Sequence, residues 1–346
     1  MAGDLSIEAA KNIPMDFSSA ESLPDSHTWW SKGCSDIIDD GSVSIPVVDL
    51  TDPNAMETIK LACEEWGIFQ LKNHGIPLSL LNHVNEEIKR LFSLPAEQKV
   101  KALRPPGAQA GYGSAYISPF FPKVMWHEGF TIVGSSYDDA KKVFTNHDDF
   151  ARFSEKMEEI QKQLKNVVEK VTGMILNLLG VCDKEKKWVK SDNQTLQMNS
   201  YPSCPDPDRA IGLAQHKDTS IITILHQTQV HPQTRSQVLT QDQTGGLQIF
   251  KEGIGWVPVR PDPDAFVVHV GDILEILSNG KFTSVLHRVT VSRSAHRYSF
   301  AFFHRPSPES PLSPLHSHPR FRVVTLKEYD AIKAKDRPNA LASISV

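Results

Sequence analysis

From about residue 194 onward the chain is divided into short runs of apolar and β-branched residues, and this feature restricts the fold more than any other. Runs of this kind, bounded by Gly, Pro and polar residues, are typical of β-strands. Two pairs between the runs, Gly271-Asp272 and Asn279-Gly280, are predicted turns, and Asn-Gly suits a tight hairpin. The predicted strands occupy residues 194–202, 220–225, 246–251, 256–260, 265–270, 273–277, 284–291 and 298–303. This density of strands predicts a β-sandwich or barrel.

The first half of the chain has apolar residues at helical spacing instead. Three amphipathic helices are predicted, with apolar stripes that we interpret as core-facing. The stripes are Ile59, Ala62, Cys63 and Trp66; Leu81, Val84, Ile88 and Leu91; and Phe150, Phe153, Met157, Ile160, Leu164, Val167, Val171, Ile175 and Leu178. We therefore expect a mainly β fold with helices. Its expected divisions are a helical and mixed region at 1–190, a β core at 191–310 and a C-terminal tail with a helix at 311–346.

Composition limits the classes of function. The formal net charge of −4, with both signs mixed along the 346 residues, argues against a nucleic-acid partner. No apolar run approaches the roughly 20 residues of a membrane span, and no signal-peptide pattern opens the chain. The cysteines are scattered without C-x-x-C spacing, which favours reduced thiols over a disulfide framework. We expect a monomeric cytoplasmic protein that acts on a small molecule.

A short H-x-D sequence and a distant histidine form a candidate metal site. If residues 215–218 are extended, the two-residue period of a strand puts His216 and Asp218 on one face and Lys217 on the other. His287 lies in a predicted strand that could be their neighbour. Two imidazoles and one carboxylate that leave coordination positions open are the ligand set of non-haem Fe(II) oxygenases. An H-x-D sequence also occurs by chance, so ordinary hydrogen-bonded histidines are the alternative.

A second group of residues suits a carboxylate ligand. Arg297 and Ser299 would share one face of a strand, so that a guanidinium fork and a hydroxyl converge on one acceptor. Tyr201, before the metal-site residues, offers another hydroxyl. Taken singly, Arg297 could form a surface ion pair and Tyr201 could be a core aromatic residue with a bonded hydroxyl.

The order of these motifs resembles that of the plant 2-oxoglutarate- and Fe(II)-dependent dioxygenases. N-x-Y-P-x-C at 199–204, H-x-D, a distal His and R-x-S occur here in the family's order. The resemblance implies a double-stranded β-helix, or jelly roll, packed by the N-terminal and central helices. It implies that Fe(II) binds to His216, Asp218 and His287, and that the far carboxylate of 2-oxoglutarate binds to Tyr201, Arg297 and Ser299. It also implies O2 as cosubstrate, ascorbate as reductant, and succinate and carbon dioxide as products.

Along nearly its whole length, the chain resembles the gibberellin oxidase branch of this family. The segments that carry it include 66–69, 73–75, 111–113, 117–121, 125–131, 244–250 and 327–329. It implies 3-beta-hydroxylation of a gibberellin, with Tyr112, Phe120, Met125 and Trp126 as candidate substrate contacts. Packing between helices and barrel is the alternative role for these four side chains. Alternative functions are a gibberellin 2-oxidase, a dioxygenase of a flavonoid, indole or other specialised metabolite, and a non-catalytic metal- or hormone-binding jelly roll.

Three departures from the family pattern bear on substrate choice. Residues 228–243 form a polar insertion, interpreted as a solvated loop or, alternatively, as a gate over the barrel mouth. His231 within it has no partner motif and is left out of the metal site. His127 and His269 stand where relatives often have Ser and Asn, which affects the expected regiochemistry and substrate class.

Overall fold

Two β-sheets face each other in the computed structural model, which describes residues 13–31, 43–135, 137–181, 194–228, 245–315 and 318–346. The strands are β1 Val47–Asp49, β2 Ile68–Lys72, β3 Gly111–Gly113, β4 Glu128–Val133, β5 Gln194–Tyr201, β6 Leu213–His216, β7 Ile222–Gln227, β8 Leu247–Lys251, β9 Gly255–Pro258, β10 Phe266–Val270, β11 His287–Val289, β12 Arg297–His304, β13 Pro311–Leu312 and β14 Val324–Thr325. Within the described residues, the larger sheet has the order β1-β2-β10-β7-β12-β5-β4-β3 and the smaller sheet β6-β11-β8-β9.

Alternation along the central strands gives the larger sheet two different faces. Leu225 of β7 and Ala301 of β12 belong to the apolar cluster that also contains Leu247 and Ile249 of the smaller sheet. Their chain neighbours, such as Ile224, point to the opposite face and join the main core. Because successive strand residues alternate in direction, one face of this sheet packs against helices while the other encloses the space between the sheets.

Helices cover the outer face of the larger sheet. The helices are α1 Ala55–Glu65, α2 Leu78–Phe92, α3 Ala96–Lys99, α4 Asp138–Val143, α5 His147–Leu178, α6 Asp272–Leu277 and α7 Leu326–Lys335. The side chain of Asn146 caps α5 by accepting a hydrogen bond from the backbone N–H of Asp148 at 2.9 Å. Buried Ile160 and Leu164 on α5 and Ile88 on α2 share one core cluster with the sheet. The expected mainly β fold with packed helices is confirmed.

The predicted strand at 273–277 is wrong, because this segment forms helix α6. A short apolar run is compatible with either element, and periodicity cannot distinguish a buried strand from a buried helical turn. The helix ends in paired bonds from the N–H of Asn279 to the carbonyl of Ile276 and from the N–H of Gly280 to that of Glu275. Both residues have positive φ, +57° and +80°. Asn279-Gly280 thus ends a helix rather than forming the expected hairpin.

Two further observations concern the edges of the fold. Among the described residues, no helix is both long and apolar enough to cross a membrane. Nearly all of the polar insertion predicted at 228–243, including His231, lies outside the described residues, so its interpretation as loop or gate stays a prediction.

Candidate active site

His216, Asp218 and His287 meet at the end of the smaller sheet. His216 is the last residue of β6 and pairs in register with His287, the first residue of β11. Asp218 follows two residues after His216, and its Oδ1 lies 3.5 Å from His216 Nε2 and 3.7 Å from His287 Nε2. One ligand atom from each residue lies within 4.8 Å of the others. The three side chains could therefore hold one metal ion.

The hydrogen bonds of both imidazoles set their tautomers. His216 Nδ1 lies 2.8 Å from the carbonyl oxygen of Ala214, and His287 Nδ1 lies 3.2 Å from that of Val285. A carbonyl oxygen only accepts, so each Nδ1 carries a proton, and in the neutral form of each ring Nε2 has the lone pair. The lone pairs are thus on the nitrogens that face Asp218. Metal-bound histidines usually have this arrangement, with the second nitrogen bonded to a carbonyl or carboxylate.

Burial and mutual contact hold these groups in the protonation states that metal binding needs. Burial holds the pKa of His287 well below its usual value, so its imidazole is neutral. Burial acts to raise the pKa of Asp218, but the facing imidazoles of His287, His216 and His269 outweigh it and keep the pKa well below its usual range. A neutral imidazole and an ionised carboxylate are the ligand forms.

His269 adds a contact to this group from the opposite sheet. It lies on β10, with Nδ1 3.5 Å from Asp218 Oδ2 and its ring centroid 4.5 Å from that of His287. Its side chain is 2% exposed. From the sequence, His269 was noted as a departure from the family pattern, without a place in the metal site. Only the packing of the two sheets, which brings β10 opposite β11, could have indicated it.

Arg297, Ser299 and Tyr201 come together on neighbouring strands of the larger sheet. Arg297 of β12 pairs in register with Tyr201 of β5, and its guanidinium lies 4.9 Å from the centroid of the Tyr201 ring. Arg297 Nη1 is 3.5 Å from Ser299 Oγ, and Nη2 donates to Gln227 Oε1 at 3.0 Å. Burial lowers the pKa of Arg297 and raises that of Tyr201.

Arg297 is a buried cation with unused donors. It is 5% exposed, its Nε has no hydrogen-bond partner, and no carboxylate among the described residues forms an ion pair with it. A buried charge normally has a partner of opposite charge, because burying it alone is costly. A ligand carboxylate would supply that partner, and this fits the outer carboxylate of 2-oxoglutarate.

Three further polar residues extend this group: His127, Asn199 and Gln227. His127 Nε2 lies 3.0 Å from Asn199 Oδ1, and Asn199 Nδ2 is 3.4 Å from Ser299 Oγ. Burial lowers the pKa of His127 to about 4, so its ring is neutral. Asn199 could have been found, because it precedes Tyr201 by two residues on a predicted strand and so shares its face. Gln227 had no comparable signal, and His127 was noted only as a departure from the family pattern that bears on substrate choice.

One cavity contains both groups. Its volume is about 240 Å³, and among the described residues it is lined by His216, Asp218, His287, Tyr201, Arg297 and Ser299, together with apolar side chains such as Leu213, Leu225, Val289, Ala301 and Phe303. Lys217 also borders the cavity, but its Nζ lies 3.6 Å from Glu275 and does not approach the metal-site group.

The four candidate substrate contacts lie in different places. Phe120 lines the cavity. The other three are buried outside its lining. Tyr112 Oη donates to Glu128 at 2.6 Å, the sulfur of Met125 accepts from the N–H of Ala214 at 3.4 Å, and Trp126 Nε1 donates to the carbonyl of Pro202 at 3.1 Å.

Comparison with known proteins matches two family descriptions to this chain. Residues 192–306 match the 2OG-Fe(II) oxygenase superfamily, and residues 45–151 match the N-terminal region described for non-haem dioxygenases in morphine synthesis. Gibberellin 3-beta-dioxygenase 1 of Pisum sativum is 41% identical, over 95% of this chain and 88% of the relative. Gibberellin 3-beta-dioxygenase 1 of Arabidopsis thaliana is 39% identical, over 96% and 93%.

Solved structures share the fold. The crystal structure of JOX2 in complex with 2OG, Fe and JA has a TM-score of 0.79 and 27% identity, covering 98% of this chain and 97% of its own. The rice dioxygenase for auxin oxidation has a TM-score of 0.69 and 24% identity, covering 88% and 100%, and its likeness concerns the fold. Relatives this similar, over nearly the full length of both chains, belong to one family. The protein is an oxidoreductase, a member of the plant 2-oxoglutarate- and Fe(II)-dependent dioxygenases.

Proposed function

We propose that the protein hydroxylates a gibberellin at the 3-beta position, using Fe(II), 2-oxoglutarate and O2. The observation that carries this proposal is its end-to-end similarity to proteins named gibberellin 3-beta-dioxygenases in pea and Arabidopsis. The cavity supports it, because an apolar lining with a few placed polar groups suits an apolar organic acid.

In this proposal Fe(II) is held by His216, Asp218 and His287. Their neutral Nε2 atoms and ionised carboxylate match the ligand set of non-haem oxygenases, which leaves positions for the cosubstrates. When bound, the iron and 2-oxoglutarate supply the oxidant that replaces a hydrogen on carbon with hydroxyl, releasing succinate and carbon dioxide. The backbone carbonyls of Ala214 and Val285 hold both rings in the ligating tautomer.

Arg297, Ser299 and Tyr201 position 2-oxoglutarate by its outer carboxylate. The guanidinium supplies charge and two parallel donors, and Gln227 fixes its plane through Nη2. Because Arg297 is almost completely buried, the pair that it forms with a carboxylate is little weakened by water. The opposite end of the cosubstrate would then be available to the metal-site residues, which line the same cavity.

The apolar side chains of the cavity orient the substrate and exclude water. Leu213, Leu225 and Phe303 are among the apolar side chains that line the cavity. We retain Phe120 as a substrate contact. The other three candidate residues would support the cavity indirectly. They hold Glu128 and the backbone of Ala214 and Pro202 in place through hydrogen bonds of Tyr112, Met125 and Trp126.

Several further properties complete the proposal. We infer that ascorbate serves as the reductant and that the protein is a cytoplasmic monomer, divided near residues 190 and 310. The free thiols of Cys63 and Cys204 support a reducing compartment, because both are buried without a disulfide partner.

The test is mass spectrometry of the products formed from a panel of gibberellin precursors. Purified protein is incubated with Fe(II), 2-oxoglutarate, ascorbate and each precursor. We expect a 3-beta-hydroxylated product together with an equal amount of succinate. Products hydroxylated at the 2-beta position would instead identify a gibberellin 2-oxidase. Unchanged gibberellins, with succinate formed from a flavonoid or indole, would contradict the proposed substrate class.

A further inference from the structure

The cavity carries more positive than negative side chains, which raises the question of what neutralises them. Among the described lining residues the cations are Lys217, Arg297, Arg305, Lys333 and Arg337, whereas the carboxylates are Asp218 and Asp330. Since unpaired charge becomes less favourable as a side chain is buried, an acidic partner from the protein or from a ligand would stabilise the more buried of these cations.

Three of these cations have protein partners. The pairs are Lys217 with Glu275 at 3.6 Å, Arg305 with Asp330 at 2.6 Å, and Lys333 with Asp272. Nη2 of Arg305 donates to both carboxylate oxygens of Asp330. These three side chains therefore have little charge left to offer a ligand.

Two guanidinium groups of the described cavity lining have no acidic partner within ion-pair distance. One is Arg297, which we have assigned to 2-oxoglutarate. The other is Arg337, just beyond the end of α7, whose buried Nε has no hydrogen-bond partner. Burial lowers the pKa of Arg337, while Tyr116, Asp272 and Asp330 act from a distance to raise it. An arginine stays protonated under such conditions. Because Arg337 lines the cavity, its positive charge is available to a bound ligand.

An aromatic ring holds the Arg337 guanidinium in place. Its central carbon lies 4.0 Å from the centroid of the Phe120 ring, and both residues line the cavity. Stacking over the ring uses the flat face of the guanidinium and leaves the N–H groups at its edge available. Such a group is prepared for a planar, bidentate acceptor, and a carboxylate has that shape.

We propose that Arg337 binds a carboxylate of the organic substrate, so that the substrate is an apolar carboxylic acid held by its acid group in the cavity that also contains the metal-site residues. This inference rests on the proposed function, because gibberellins are polycyclic carboxylic acids, and it goes further by assigning the acid group to one residue. The two unpaired arginines then have parallel tasks: Arg297 binds the acid of the cosubstrate and Arg337 the acid of the substrate.

The experiment compares a free acid with its ester in three variants. The probes are gibberellin A9, which has a carboxylate and no hydroxyl at carbon 3, and its methyl ester. The variants are Arg337→Gln, Arg337→Lys and the control Lys335→Gln, which removes a cation from the exposed end of α7 outside the cavity lining. For each protein we would measure KM and kcat for both probes, KM for 2-oxoglutarate and the melting temperature.

We expect Arg337→Gln to raise KM for the acid by about 10- to 100-fold, the loss expected for a charge-assisted hydrogen bond, and to abolish the preference for acid over ester. Arg337→Lys keeps the charge without the fork and should fall in between. The KM for 2-oxoglutarate, the melting temperature and the control should stay unchanged. A role confined to packing would instead lower the melting temperature and affect acid and ester alike.

The failures of the two proposals can be told apart. If the wild-type enzyme hydroxylates gibberellin A9 and Arg337→Gln leaves its KM unchanged, the assignment of Arg337 is wrong while the proposed function stands. If no gibberellin is converted, calorimetric titration of gibberellin A9 into protein loaded with Co(II) and 2-oxoglutarate still decides. Equal affinities of wild type and Arg337→Gln, or no binding by either, would overturn the assignment.

Discussion

Two groups of residues in the cavity lining belong to different kinds of structure. In the first group, His216 and His287 are fixed on paired strands of the smaller sheet, and Arg297 lies on a central strand of the larger one. In the second group, Phe120 belongs to the short 3₁₀ turn Ser118–Phe120 and Arg337 follows helix α7. Strand pairing fixes the first set through many backbone hydrogen bonds, whereas the second depends on packing between segments far apart in the chain.

This difference separates the chemistry from the choice of substrate. A site on paired strands holds its side chains more precisely than one on turns and helix ends. Turns and loops also accept sequence changes more readily. We therefore expect substitutions in the first group to weaken or remove activity with every substrate, and substitutions in the second group to change which molecule is oxidised.

The largest expected effect is loss of the metal site. Asp218→Ala or His216→Ala should reduce turnover of both gibberellin and 2-oxoglutarate to background, because two ligands cannot hold the ion in an open octahedral set. Succinate release measures the activity, and the melting temperature of the metal-free protein verifies the fold. Undiminished turnover in either variant would refute the iron assignment.

A smaller effect is expected for the cosubstrate anchor. Arg297→Gln should raise KM for 2-oxoglutarate by about 10- to 100-fold, because it removes a charge-assisted, bidentate contact. Arg322→Gln is a matched control, since Arg322 forms an exposed ion pair with Glu328 at 2.9 Å. If both variants keep the wild-type KM, the outer carboxylate of 2-oxoglutarate binds elsewhere.

His269 offers a finer test of how the sheets share the metal site. His269→Leu should weaken Co(II) binding about 10-fold, the size of effect known for residues that orient a metal ligand, because Asp218 loses a neighbouring donor. Titration monitored by the visible absorption of Co(II) reads this without any turnover. We expect His269→Asn to bind better than His269→Leu, since its amide can still donate. Identical affinities for all three proteins would contradict the role.

The smallest effect on activity is expected for a residue of the scaffold, where the change is in stability. Burial lowers the pKa of His226 to about 4, and its ring stacks on Phe300 away from the metal site. This folded-state pKa lies below the unfolded value of 6.5, so the unfolded chain binds more protons below that pH. The free energy of unfolding should therefore fall between pH 6.5 and pH 4, by roughly 3 kcal/mol from this residue.

Denaturant unfolding across that pH range measures the slope. The variant His226→Gln should show a shallower fall than wild type, by up to about 1.4 kcal/mol per pH unit, because one proton uptake is removed. Its absolute stability matters less than the slope. A slope equal to that of wild type would mean that His226 is protonated in the folded protein as well. Co(II) affinity at neutral pH should not change.

The periodicity of the sequence predicted which cavity residues on strands would lie together, for a physical reason. The period of two along a strand relates residues that are close in sequence. It was therefore possible to predict that His216 and Asp218 share a face, and likewise Arg297 and Ser299. Asn199 could have been added by the same rule from Tyr201. The one wrong element, 273–277, is a short buried segment in which apolar pattern does not distinguish helix from strand.

The remaining cavity residues could not be derived in this way. His269 reaches Asp218 only because β10 lies in the opposite sheet, and Arg337 meets Phe120 across more than half of the chain. Contacts between segments so distant depend on the packing of whole sheets and helices, which local patterns do not encode. The same limit explains why Tyr112, Met125 and Trp126, adjacent to cavity segments in sequence, lie outside its lining.

Asp218 is approached from both sheets, by His216 and His287 on one side and by His269 on the other. The position of this carboxylate therefore depends on the distance between the two sheets. The coordination geometry of a metal bound there would change when packing elsewhere between the sheets changes. Trimming Val267, which packs between the sheets on the same strand as His269, should shift the absorption spectrum of a cobalt-loaded protein even where every ligand is intact.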